Sequence, residues 1–209
     1  KFQTLKSDLR KYWRFGKDYT FAIRGFFGKS LGSNKQKFFL GGIPYLLAGG
    51  GETNGQEDNS PFREVLLDTS NASLIHDIYF TEYAWPLRGA RFAERFGNNT
   101  SLFNLEVRFP FINYLALGFP LKVIFGNIRG HAFMDIGAAW DSPDEFGSTQ
   151  WPERYGPNTS GYYSPWITTA GLGTKINLGY FLLKIEMAWD KNPTGYSKPQ
   201  WYFSLGPDW

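Results

Sequence analysis

His76 and His131 are the only histidines of the chain, and it has no cysteine. Disulfide frameworks, thiolate metal sites and cysteine nucleophiles are thereby excluded. No Asp/Glu/His cluster shows ligand spacing, so neither a metal site nor a cofactor is expected. A Ser-His-Asp hydrolase would need a Gly-x-Ser-x-Gly elbow, and a glycosidase would need paired carboxylates. Neither stands out, and an enzyme is not the expectation. Ala48-Gly49-Gly50-Gly51 lacks the Lys-Ser/Thr pair of a phosphate loop and reads as flexible chain. Asn71-Ala72-Ser73 and Asn158-Thr159-Ser160 fit the glycosylation acceptor pattern, which arises by chance in Asn/Ser-rich loops. Trp140, Trp151, Tyr162, Tyr163 and Trp166 raise a soluble alternative, a sugar-stacking β-sandwich.

With so little reactive chemistry, the elements that carry these residues become the main source of information. The 209 residues are 42% hydrophobic and 20% charged, enough for one ordinary domain and too polar for a helical membrane bundle. Aromatics make up 19%, with 24 glycines, 12 prolines and 2 methionines, a strand-and-turn composition. The class expected is all-β. Lys+Arg number 22 against 19 Asp+Glu, a mixed surface of net charge +3 without a basic arm, so no nucleic-acid partner is implied. No apolar run reaches the length of a transmembrane helix.

Alternation with period two runs through most of the chain. In Ser101 to Phe109, Phe103, Leu105, Val107 and Phe109 share one face, while Asn104, Glu106 and Arg108 share the other. Phe181 to Asp190 sets Phe181, Leu183, Ile185, Met187 and Trp189 against Leu182, Lys184, Glu186, Ala188 and Asp190. Trp166 to Leu178 alternates similarly, with Gly171 and Gly173 on its more polar side, where they leave room. Phe2 to Phe15 and Tyr19 to Phe27 are two further amphipathic strands. Gln36 to Tyr45 and Ile128 to Trp140 are strand-like in composition, and Trp201 to Trp209 closes the count at about eight strands.

A soluble sandwich alternates as well, so the character of the polar face decides. Lys, Arg, Glu and Asp recur on that face in strand after strand, while large aromatics lie toward the ends of the apolar one. This is the pattern of a polar lumen and a lipid-facing band with aromatic girdles. Connections alternate between tight, as at Asn177 to Tyr180, and long and polar, as at Asp141 to Pro165. The expected organisation is a single β-barrel segment over 1–209: three strands in 1–46, a long loop over 47–99 and five strands in 100–209. Phe2 already reads as strand with no cap or turn before it, which suggests a piece of a longer chain.

Motifs refine this. Leu87-Arg88-Gly89, Asn104-x-Glu106-x-Arg108-Phe109-Pro110 and Phe133-x-Asp135-x-Gly137 occur in this order, followed by a terminal aromatic strand with Phe203 and Trp209. With Asp8-Leu9-Arg10-Lys11-Tyr12 and Phe39-Leu40-Gly41-Gly42, the chain resembles the C-terminal half of the sixteen-stranded barrel of the BamA/TamA superfamily, the bacterial surface antigen family. The wording around Pro86 and Pro110 is most similar to barrels fused behind a TolB-type propeller.

The resemblance implies a bacterial outer-membrane location and a lid loop that folds back into the barrel. There Arg88 would meet Glu106 and Asp135 on the lumen wall, with Gly89 at the loop tip and Phe133 and Gly137 in the strand motif. It implies no cofactor. The implied partners are the lipid bilayer, a missing N-terminal barrel half or partner chain, substrate polypeptides and accessory envelope proteins. The function implied is protein transport or membrane assembly, the insertion or export of polypeptides; the alternative is a structural or solute-conducting barrel without assembly activity. The loop after Gly42 is longer than the family usually shows, and Ala90 stands where an aromatic residue is usual.

Overall fold

A computed structural model of the chain describes residues 1–43, 46–50, 81–90, 94–112, 128–146, 165–178, 180–192, 195–196 and 199–207. His76, Trp151, Tyr162, Tyr163, Trp209, both glycosylation patterns and most of the 47–99 loop lie outside them.

The fold is all-β. The strands are β1 (Phe2–Phe15), β2 (Tyr19–Gly32), β3 (Phe38–Leu40), β4 (Leu46–Gly50), β5 (Glu82–Ala84), β6 (Arg95–Gly97), β7 (Asn99–Ile112), β8 (Ile128–Trp140), β9 (Trp166–Asn177), β10 (Leu182–Asn192), β11 (Gly195–Tyr196) and β12 (Gln200–Gly206). Eight of them form one antiparallel sheet in the order β1-β2-β7-β8-β9-β10-β12-β4, with β11 added to β10. Among the described residues β1 and β4 are the two ends of this sheet and are not paired with each other. β1, β2 and β7 are 14 residues long and β8 is 13, above the roughly 9–11 that a tilted strand needs to cross a bilayer.

A second, three-stranded sheet places β3 between β5, which runs parallel to it, and β6, which runs antiparallel. It lies against one face of the large sheet. Leu40, Ala84, Leu87 and Ala90 pack there on Phe26, Leu102, Ala139 and Ile167. Gly42 and Leu87 exchange backbone hydrogen bonds in an isolated antiparallel bridge that ties the chain after β3 to the chain after β5.

Two faces of opposite character result. The covered face presents Ala22, Arg24 and Phe26 from β2, Leu102, Asn104 and Glu106 from β7, and Thr169 and Lys175 from β9, all buried. The outer face presents Leu5, Leu9, Trp13, Phe27, Val107, Met134, Leu172, Trp201 and Phe203, all at least 38% exposed. Aromatic rings on that face meet across strands: Trp13 stacks on Phe21 at 5.6 Å, and Phe27 meets Phe103 edge to face at 5.2 Å.

The periodicity located the long strands and their faces, and the structure departs from the expectation at Gln36 to Tyr45 and within the 47–99 segment. Gln36 to Tyr45 was expected to be a wall strand. Among the described residues of that segment only Phe38–Leu40 is a strand, and it belongs to the small sheet. Phe38, Phe39 and Leu40 are all buried, so this strand has no solvent or lipid side. The eighth place in the wall is taken by β4, from within the long loop, which runs antiparallel to β12. Its neighbours β5 and β6 give further strand structure to a segment expected to be loop.

Candidate functional site

The residues between β5 and β6 place Arg88 over the middle of the large sheet. Gly89 has φ +87°, a left-handed conformation that disfavours any side chain. A Cβ there would also sit 3.1 Å from that of Ala188 and 3.3 Å from that of Thr169. Glycine thus lets the backbone touch the wall. Its N–H donates to the Tyr202 hydroxyl at 3.1 Å, and the preceding Leu87 is fully buried. Tyr202→Phe is expected to leave that N–H without its acceptor, at a cost of about 1–3 kcal/mol. Faster amide exchange at Gly89 is the measurement that checks it.

Arg88 is 1% exposed. Its Nε and Nη2 donate to the two oxygens of Asp135, each at 2.8 Å, a bidentate pair. Its own backbone N–H adds a third bond to Asp135 at 3.1 Å. Nη1 donates to Glu106 at 3.0 Å and to Glu186 at 3.1 Å. The guanidinium carbon lies over the Phe133 ring, 3.6 Å from its centroid. Burial works against the cation, but the carboxylates of Asp135, Glu186 and Glu106 outweigh it and hold its pKa well above the ordinary guanidinium value.

Each carboxylate has further support. Glu106 accepts from Arg108 at 2.6 Å and from Lys175. Glu186 bonds His131 Nε2 at 2.8 Å. Asn104 donates to Asp135 at 2.8 Å and to the Pro86 carbonyl at 2.8 Å, tying wall, acid and loop together. Glycines on β9 supply the space: a Cβ at Gly173 would come within 2.5 Å of the His131 ring, and one at Gly171 would collide with Phe133. Gly137 likewise leaves room for Leu40, whose Cδ2 would be 2.9 Å from an added Cβ. Gly171→Val is expected to push Phe133 from beneath Arg88 and to cost about 1–3 kcal/mol by overpacking, read as a lower urea midpoint.

Of the residues marked by the motifs, Leu87, Arg88, Gly89, Glu106, Phe133 and Asp135 meet in this cluster, and Gly137 lies beside it under the small sheet. Phe203 points away on the outer face, 39% exposed. Asn104, from the same motif as Glu106, joins them, and Glu186, Tyr202, His131 and Lys175 complete the cluster without having been marked. The only sequence signal for Glu186 was its place on the polar side of β10.

A second set of ties reaches the same segment from β1. Asp8 accepts two bonds from Arg24 at 2.9 Å, and Arg24 donates to the Trp85 carbonyl at 2.6 Å. Lys6 meets Glu82 at 2.8 Å. Chemically, the cluster is built to hold a segment in place. Its ionic groups pair with one another, and Arg88, Glu106, Asp135 and Glu186 are buried. Among the described residues no group of three or more His, Cys, Asp or Glu side chains is arranged to hold a metal ion. No family model matches the chain, and no curated protein matches it in sequence.

Proposed function

We propose that this chain is part of a bacterial outer-membrane β-barrel of the assembly and translocation type, similar to the BamA/TamA superfamily, and that it inserts or exports polypeptides without enzymatic chemistry. The observation that carries the reading is the inversion of its two faces. Leu5, Leu9, Leu172 and Phe181 are more than half exposed, while Arg88, Glu106, Asp135 and Glu186 are at most 2% exposed. Water would reverse that assignment, because burying charge is costly and a broad apolar surface is unfavourable. A hydrocarbon surround outside and a polar interior satisfy both. In this reading the 82–90 segment braces the interior, and incoming β-structure is received by backbone pairing at a sheet edge.

The test is reconstitution of the full chain in liposomes. Retention in the bilayer after alkaline carbonate, together with faster folding of an unfolded barrel substrate than in empty liposomes, is the expected result. Retention with ion conductance and no effect on substrate folding would select the solute-conducting alternative. Release by carbonate would remove the membrane reading altogether.

A further inference from the structure

Along the strands, the covered face changes charge. The direct cross-strand row through Asp135 holds Arg10, Arg24, Asn104, Thr169 and Asp190. Toward the tight β1–β2 and β9–β10 turns, the row through His131 holds Arg14, Arg108 and Glu186. In the next row Arg129, Lys175 and Lys184 stand directly opposite one another on β8, β9 and β10. Like charges in such register repel. The protein answers them in part: Glu106 takes Arg108 and Lys175, and the Pro207 carbonyl takes Lys184 at 2.9 Å. Five cations and one carboxylate still occupy these last two rows. The 113–127 connection between β7 and β8 contains Lys122 and no acidic residue. Arg14 and Arg129 are exposed.

We propose that this end of the covered face is a docking site for an acidic, extended polypeptide segment, with Arg14 and Arg129 as its outer contacts and Arg108, Lys175 and Lys184 supplying the field behind them. The four strands from β1 to β8 span on the order of 15 Å, which four or five extended residues cross. A polypeptide fits better than a lipid headgroup. Acyl chains lie along the apolar outer face, and the basic rows are on the opposite side of the same sheet. The site deepens the assembly reading, since it names a class of segment that such a barrel would receive from the turn side.

The experiment uses the full chain in neutral detergent micelles and a fluorescein-labelled ten-residue Asp/Glu-rich peptide, followed by anisotropy. Binding that weakens with salt is expected, with a neutral peptide of equal length silent. Arg129→Gln and Arg14→Gln should each lower affinity about threefold to fivefold, and the double variant should combine the two losses. Both side chains are exposed, and unchanged far-UV circular dichroism verifies that the variants fold. No binding at low salt, binding indifferent to both variants, or capture of anionic vesicles in preference to the peptide would overturn the proposal. Carbonate release from liposomes with peptide binding intact would overturn the membrane reading and leave this site standing.

Discussion

Arg88→Ala is expected to destabilise the protein by about 3–5 kcal/mol, the usual consequence of removing one partner from a buried ionic group. The loss is large because Asp135, Glu106 and Glu186 all face the same guanidinium and would be left facing one another. Arg88→Lys should restore little, since a single ammonium cannot reproduce the bidentate pair to Asp135, the separate bond to Glu106 and the contact with the face of Phe133. Asp135→Ala should resemble Arg88→Ala, because it removes the partner of both the side chain and the backbone N–H of Arg88. Strand content should not change in any of these variants, since the cluster contributes no bonds to the ladders of the large sheet. The measurements are cleavage of the 82–90 segment by limited proteolysis, heat-modifiable gel migration and far-UV circular dichroism. Proteolysis and migration both identical to those of the parent chain would refute the bracing role.

Met134→Arg is the second large effect, and its sign depends on the solvent outside the sheet. Met134 is on the outer face of β8, 38% exposed, in the direct cross-strand row of Leu105 and Ala170. In hydrocarbon an arginine near the midplane costs about 2–4 kcal/mol. On a water-facing sheet the same change stays within about 0.5 kcal/mol. Urea titration of the chain folded into vesicles separates the cases, and a midpoint unmoved by Met134→Arg would mean that this face is not in contact with lipid.

The faces were legible in the sequence because side chains alternate with a period of two and each long strand has one ionic and one apolar side. Residue types at alternate positions identify such a strand without knowledge of its neighbours. Glu106 falls on the polar face by this parity, whereas Asp135 shares its side of β8 with the apolar Phe133. The structure resolves that conflict: Phe133 is the platform on which the guanidinium rests, so an aromatic ring belongs among the charges. What could not be read depends on pairing between strands. Glu186 joins the cluster because β10 meets β9 with Glu186 opposite Gly173, and β9 meets β8 with Gly173 opposite His131. No single strand records those registers. Phe38–Leu40 misled for a related reason, as an all-apolar triplet suits a wall strand and an enclosed strand equally well.

The partners of Arg88 also have a consequence for the order of folding. They lie 47, 18 and 98 residues away in sequence, on β8, β7 and β10. Until those strands have come together, the arginine has no place to dock, and its bonds are expected to form after the rate-limiting barrier. Substitutions at Arg88 should therefore act almost entirely on the escape rate from the native state, with φ-values near zero and refolding as fast as in the parent chain.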